Sequence, residues 1–247
     1  MNKKYEHIKS EIVNNIVSIT LNRPNKKNAL NPKMIHEFQE VLNIYQNNPS
    51  IRIILISSSS NTFCAGADIE YLEKISRFSY EENLEDSKKL MSLFKTMLHY
   101  PKLIISKVCG AALGGGCGIM TASDLVFATN DSKFGYPEVK IGFTPALVST
   151  FLIERINISN TRKLLLTGEI IDAKKGKNMG LINYLCTKKN ITNEINNFIE
   201  KFTNETSPDA IHSTKKTIYS ILEMDRKLEK AAKINAKARM NEDFKKG

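Results

Sequence analysis

The chain alternates between short apolar runs and longer stretches in which apolar residues recur every three or four positions. From Glu11 to Leu21 the side chains alternate on either side of Asn14-Asn15, with Val13, Val17, Ile19 and Leu21 apolar, which predicts a hairpin of two short strands. Pro32 opens an amphipathic helix with Met34, Ile35, Phe38, Val41, Leu42 and Tyr45 on one face. The apolar run Ile51 to Ile56, between Pro49 and a serine cluster, predicts a strand. A helix near Glu81 to Leu98, a buried strand at Leu103 to Val108, a glycine-rich segment leading into a short helix, and a strand at Leu125 to Ala128 follow. Such alternation predicts an α/β fold with largely parallel strands covered by helices.

Beyond Gly142 the apolar periodicity is helical almost everywhere. Asp172 caps a short helix ending near Gly180, and Ser207-Pro208 starts another. The last stretch, Met224 to Phe244, is charged and carries a narrow stripe of Leu, Ala, Ile and Met. That stripe needs a surface to lie against, either a second subunit or this same chain. The expected organisation is a core over residues 1–190 and a helical region over residues 191–247.

Composition narrows the class. With 247 residues, 41% hydrophobic and 25% charged, the chain has the mass to bury a sizeable core, which excludes a disordered tail, a fibrous repeat and a disulfide-stapled scaffold. The first ten residues are polar where a secretory leader needs an apolar stretch of ~7 to 15 residues. No segment approaches the ~18 uninterrupted apolar residues of a membrane span. A cytoplasmic protein that does not insert in membranes is expected. Cys64, Cys109, Cys117 and Cys186 lack paired metal spacing and read as small buried hydrophobes, so no metal site is expected. The net charge of +10 favours anionic partners, phosphorylated cofactors or nucleic acid among them. The lysines are spread across polar surfaces, and the interleaved aromatic and basic residues of an RNA-binding strand are missing; nucleic acid is not expected.

Candidate chemistry lies in three segments. Asn61-Thr-Phe-Cys-Ala-Gly-Ala-Asp68 and Gly110-Ala-Ala-Leu-Gly-Gly-Gly-Cys-Gly118 join glycines to the end of an apolar strand. Glycines there free backbone N–H groups to face a ligand, and a helix starting there adds partial positive charge, so each segment can supply one donor to an oxyanion. The second segment lacks the Gly-x-Gly-x-x-Gly order of a dinucleotide loop and the Gly-Lys-Ser/Thr of a phosphate loop. Tight helix–strand packing is the other reading of either cluster. The third segment, Phe134 to Pro145, holds Glu138 as a lone carboxylate in an apolar, proline-bounded stretch. It is either an exposed loop residue or a partly buried acid with its pKa raised into the range useful for proton transfer.

These segments occur in order behind Leu21-Asn-Arg-Pro-Asn-Lys-Lys-Asn-Ala-Leu-Asn31, and the combination resembles the crotonase (enoyl-CoA hydratase/isomerase) family from about Tyr5 to the end of the chain. The resemblance implies a spiral of β-β-α turns followed by a C-terminal helical oligomerisation region, with homotrimers often paired into homohexamers. It implies an acyl-CoA thioester as substrate and no separate cofactor, coenzyme A being part of the substrate. Two backbone N–H groups, Ala67 and Gly115, would form the oxyanion hole for the thioester oxygen. Backbone around Ala65 and from Asp68 to Ile69 would meet the adenine, with Arg23, Lys26 and Lys27 near the CoA phosphates. Hydratases of the family usually hold one water between two glutamates; Glu138 matches the second, but Gly118 stands where the first would be.

That departure leaves two expectations. Flanking segments look like hydratases of branched acyl-CoAs, including 3-methylglutaconyl-CoA hydratase, whose glycine at this position would leave room for a branch or a second carboxylate. Hydration through Glu138 is the first expectation, and a Δ3,Δ2-enoyl-CoA isomerase using the same glutamate as proton shuttle the second. Minor alternatives are RNA binding and a thiol hydrolase built on Cys64 or Cys117 with His99. Family members often continue beyond the position equivalent to Gly247 with another turn of helix, so a C-terminal extension is also expected.

Overall fold

The structure, a computed structural model, describes residues 4–246; residues 1–3 and 247, the ends of the two expected regions, lie outside it. The chain opens with an antiparallel hairpin, β1 (Ile8–Val13) and β2 (Ile16–Leu21), whose turn residues Asn14 and Asn15 sit at φ 49° and 64°. Two consecutive left-handed residues make the turn whose twist matches the strands, and asparagine tolerates that conformation. Helix α1 (Pro32–Tyr45) begins where Asn31 accepts from the Met34 N–H and Pro32 fills the first turn. Strand β3 (Ile53–Ser58) starts two residues later than the apolar run suggests and also ends two residues later, because Ser57 and Ser58 still pair with Thr20 and Leu21 of β2.

A three-residue strand, β4 (Thr62–Cys64), leads through a glycine loop into α2 (Ile69–Ile75), and α3 (Tyr80–Leu98) follows with a complete capping box between Ser79 and Glu82. The next turn runs β5 (Leu103–Val108), β6 (Ala111–Leu113) and α4 (Gly115–Ala122), so the helix expected after the glycine segment starts inside it. Strands β7 (Leu125–Thr129) and β8 (Lys133–Gly135) precede a 3-10 turn, Pro137–Ile141, and the long α5 (Ala146–Thr167), which is broken at Asn157. After it come β9 (Ile170–Asp172), α6 (Ala173–Asn178), β10 (Tyr184–Cys186), α7 (Ile191–Glu205), α8 (Pro208–Ile221), α9 (Met224–Ala238) and α10 (Glu242–Lys246). The region beyond Gly142 is therefore less uniformly helical than its periodicity predicts: β9 and β10 are too short to show one.

The strands divide between two sheets, ordered β1-β2-β3-β5-β7-β10 and β4-β6-β8-β9, with every pairing parallel except β1–β2 and β8–β9. In the three middle turns the first strand, β3, β5 or β7, joins the large sheet and the second, β4, β6 or β8, the small one. The central strands of the large sheet are covered on both faces. Ile54 and Ile56 join a core with Phe38, Phe94 and Ile104, while Ile53, Leu103 and Phe127 pack under Ile191, Ile195 and Ile199 of α7. This two-sided burial is why β3 reads as a continuous apolar run rather than an alternation. Most of the C-terminal stripe is covered within the chain: Leu228, Ala231, Ala232 and Ala236 of α9 are buried and the helix lies on α3 and α5, while Ile234 and Met240 are exposed. Among the described residues no helix is long and apolar enough to cross a membrane.

Candidate active site

Three neighbouring parallel strands, β4, β6 and β8, each end in a loop that carries one part of the site. After β4, Gly66 adopts φ 102°, a region closed to side chains, and the loop is pinned by hydrogen bonds from Ala65 N to Lys27 O (3.0 Å), Leu30 N to Gly66 O (2.7 Å) and Asp68 N to Leu30 O (2.9 Å). The Ala67 N–H between them has no acceptor among the described residues. After β6, Gly114 adopts φ 50° and ψ −127° and donates to Gly135 O at 2.9 Å. Gly115 then opens α4, leaving its N–H among the unsatisfied donors of the first helical turn. The two loops meet backbone to backbone: a Cβ placed on Gly114 would lie 3.6 Å from Gly66 Cα.

After β8, Tyr136 is anchored to α4 by a 2.6 Å hydrogen bond between its hydroxyl and Thr121 Oγ1, both buried. The following 3-10 turn brings in Glu138, and the Phe143 N–H closes back on Glu138 O at 3.0 Å. Helix α10 braces this loop, with the Phe244 and Phe143 rings 5.4 Å apart. The Glu138 carboxyl rests against Gly114, Oε1 being 3.2 Å from where a Cβ on that glycine would sit. Although the residue is only half-buried, its Oε2 is out of reach of solvent and has no hydrogen-bond partner. Burial pushes its pKa up to about 7. Ala67, Gly115 and Glu138 line one cavity of about 380 Å³, otherwise walled mainly by apolar side chains such as Leu30, Leu72, Leu90 and Leu147.

Two freed backbone donors and one buried carboxyl can polarise a carbonyl and move a proton beside it. Residues 11–247 match the family model described as enoyl-CoA hydratase/isomerase. The chain belongs to the enoyl-CoA hydratase/isomerase family. A Thermus thermophilus relative is 32% identical over 94% of this chain and 92% of its own length. The crotonyl-CoA hydratase of Syntrophomonas wolfei is 30% identical over 77% and 73% of the two chains. The crystal structure of an enoyl-CoA hydratase from Bacillus halodurans superposes with a TM-score of 0.89 at 26% identity, covering 98% of each chain.

Within this family fold the expected site residues separate into groups. Ala65, Ala67 and Asp68 lie along the loop after β4, and Ile69, which opens α2, is 82% exposed at the cavity edge. Arg23 is tied to the loop: its Nη1 lies 2.6 Å from Asp68 Oδ2 and also donates to Ala29 O at 2.9 Å. Burial works to raise the Asp68 carboxyl, but Arg23 and the N–H groups of Glu70 and Tyr71 hold it below the usual aspartate range. Arg23 thus positions the loop that carries Ala67. Lys26 pairs with Glu70, whereas exposed Lys27 has no ion-pair partner among the described residues.

Gly118 is closely packed. A Cβ there would fall 2.8 Å from Val148 Cγ1 and 2.9 Å from Phe94 Cζ, two side chains of the cavity wall. Gly116 is the packing corner that a glycine cluster can also signify, since a Cβ there would lie 2.5 Å from Cys64 Cβ. The thiol-hydrolase alternative falls as well. Cys64 and Cys117 are fully buried, which pushes both thiols up to about 12, and His99 is paired with Asp225 at 2.8 Å. Sequence reasoning missed the polar end of the cavity, formed by Tyr71, Asp86, Asn235 and Arg239. Its only signal is an Asn and an Arg four residues apart, continuing the stripe of small apolar residues on α9.

Proposed function

We propose that the protein is an enoyl-CoA hydratase in which Glu138 alone serves as base and then acid. The observation that carries this reading is the unpartnered, buried Oε2 of Glu138 beside the Ala67 and Gly115 N–H groups. A thioester oxygen accepting from both donors draws electron density from the 2,3 double bond. Glu138 as carboxylate takes a proton from water while the water oxygen bonds to C3, and the negative charge passes to the thioester oxygen as an enolate. The newly protonated carboxyl then delivers that proton to C2, so water is added and the carboxylate is restored. Removing one oxyanion donor typically costs ~10²- to 10³-fold in rate. With its pKa near neutrality, the carboxyl has both protonation states accessible at working pH.

The runner-up uses the same geometry. A 3-enoyl-CoA would lose a proton from C2 to Glu138 and regain it at C4, isomerising the double bond without water. Gly118 favours it because that position supplies no second carboxylate to hold a water. A linear acyl group fits better than the branched 3-methylglutaconyl type, because Phe94 and Val148 occupy the space beside Gly118. Lys26 and Lys27 are proposed to face the CoA phosphates. A homotrimer or homohexamer is proposed from the family resemblance, and light scattering would measure it.

Crotonyl-CoA, a 3-enoyl-CoA and 3-methylglutaconyl-CoA in oxygen-18 water separate these readings. Rapid label uptake from crotonyl-CoA supports hydration. Double-bond migration in the 3-enoyl-CoA without label overturns it, and faster turnover of 3-methylglutaconyl-CoA than of crotonyl-CoA overturns the linear preference.

A further inference from the structure

The cavity is not apolar throughout. Along α3, Asp86, Leu90 and Phe94 line it at successive turns, so its polar end lies about 12 Å from the level of Phe94, at 1.5 Å per helical residue. Phe94 is the residue packed against Gly118 on α4, the helix that begins at the Gly115 donor. At the far end Arg239 Nη1 pairs with Asp86 Oδ2 at 2.6 Å, and Asp86 Oδ1 accepts from the Tyr71 hydroxyl. Asn235 uses its Nδ2 to reach Ser87 Oγ at 3.2 Å.

Two atoms in this cluster are left over. Arg239 Nε and Asn235 Oδ1 are buried with no hydrogen-bond partner, in residues that are 4% and 2% exposed. One is a donor and the other an acceptor, four residues apart and so on the same face of the helix. Leaving either unmade is costly in a buried site. A group that accepts one hydrogen bond and donates another satisfies both. We propose that Asn235 and Arg239 form a specificity site for a hydroxyl on the distal part of the acyl chain, making hydroxylated enoyl-CoA thioesters of medium length the preferred substrate class.

The charges argue for a hydroxyl over a carboxylate. Arg239 is already neutralised by Asp86, so a substrate carboxylate would add a second negative charge with no cation of its own and turn its lone pairs toward Asn235 Oδ1. A plain alkyl end would leave both atoms unpaired. This inference rests on the hydration reading for its substrate class, but its site is separate from Glu138.

The test compares kcat/KM for trans-2-enoyl-CoAs of six, eight and ten carbons bearing a terminal hydroxyl, a terminal carboxylate or neither. The expected result is a hydroxyl preference of about tenfold to a hundredfold at one chain length, the effect of two hydrogen bonds. In Asn235→Leu and Arg239→Lys, the latter keeping a cation for Asp86, that ratio should fall toward one. Titration calorimetry with the saturated hydroxyacyl- and acyl-CoAs gives the same comparison without turnover, and it stands even where a variant does not fold. If enoyl-CoAs are hydrated but hydroxyl and alkyl chains are treated alike, the pair holds only water and this inference is overturned while hydration stands. A carboxylate preferred over the hydroxyl also overturns it. If no enoyl-CoA gains water but the hydroxyacyl-CoA binds more tightly than the acyl-CoA, the hydration reading fails and the specificity site survives.

Discussion

Replacing Glu138 by Gln should change stability and catalysis in opposite directions. A carboxyl raised by burial from 4.5 to about 7 favours the protonated fold. Its stabilising contribution is complete below the unfolded value and is lost as pH rises through the folded value, because the unfolded chain releases its proton first. At about 1.4 kcal/mol per pH unit, the loss between pH 4.5 and 7 is on the order of 3 kcal/mol. Glutamine is neutral throughout and escapes that loss, although its amide N–H groups inherit the unpartnered surroundings of Oε2. Urea unfolding of both proteins from pH 4.5 to 8.5 should show the variant gaining on the wild type by up to about 3 kcal/mol as pH rises, then running parallel above pH 8. Over the same range wild-type kcat/KM for hydration should rise about tenfold per unit below pH 7 and flatten above it, since the first step needs the carboxylate. The variant should lose about 10²-fold or more in turnover. A constant stability difference between the two proteins, with activity independent of pH, would refute both the burial of this carboxyl and its role.

Replacing Lys26 and Lys27 together by Ala should raise KM more than it lowers kcat, with an effect that shrinks at high salt as exposed charges are screened over ~8 to 10 Å; an unchanged KM would remove them from the CoA site. Gly118→Ala should cost about 1 to 3 kcal/mol in urea unfolding through overlap with Val148 and Phe94, and a neutral result would show that the wall can yield. Arg23→Ala leaves Asp68, whose side chain is 6% exposed, without its cation; a loss of about 3 kcal/mol is expected at pH 7. That loss should fade as pH falls through the lowered Asp68 value, where protonation removes the need for a partner, and a pH-independent difference would contradict it.

How far the fold was legible depended on element length. The hairpin at Asn14-Asn15, the helix opened by Pro32 and the strand Leu103–Val108 are each long or well-capped enough to show a period. The small sheet is built from three-residue strands such as Thr62–Cys64 and Lys133–Gly135, too short for any period, and they escaped notice. Glu138 stood out as a lone acid in an apolar stretch. Ala67 and Gly115 did not, because a backbone N–H leaves no mark on residue type, and only the family resemblance singled them out. Asn235, Arg239 and Asp86 were invisible for another reason: on charged helices they read as solvated surface until α9 is laid against α3.

The small sheet also explains why the site needs so few functional side chains. Cys64 pairs with Ala112, and Ala112 with Phe134, so β4, β6 and β8 are in register where they end. Neighbouring strands lie about 4.8 Å apart, and the loops leaving their carboxyl ends open side by side. The first two loops present backbone N–H groups and the third presents Glu138, so spacing between donors and carboxyl is inherited from the ladder. Side chains at 67 and 115 need only stay out of the way, whereas Gly66 and Gly114 must keep their positive φ and Gly116 its contact with Cys64. In the proposed mechanism the glycines thus specify the site by shaping backbone, and the proton chemistry is left to the carboxylate of Glu138.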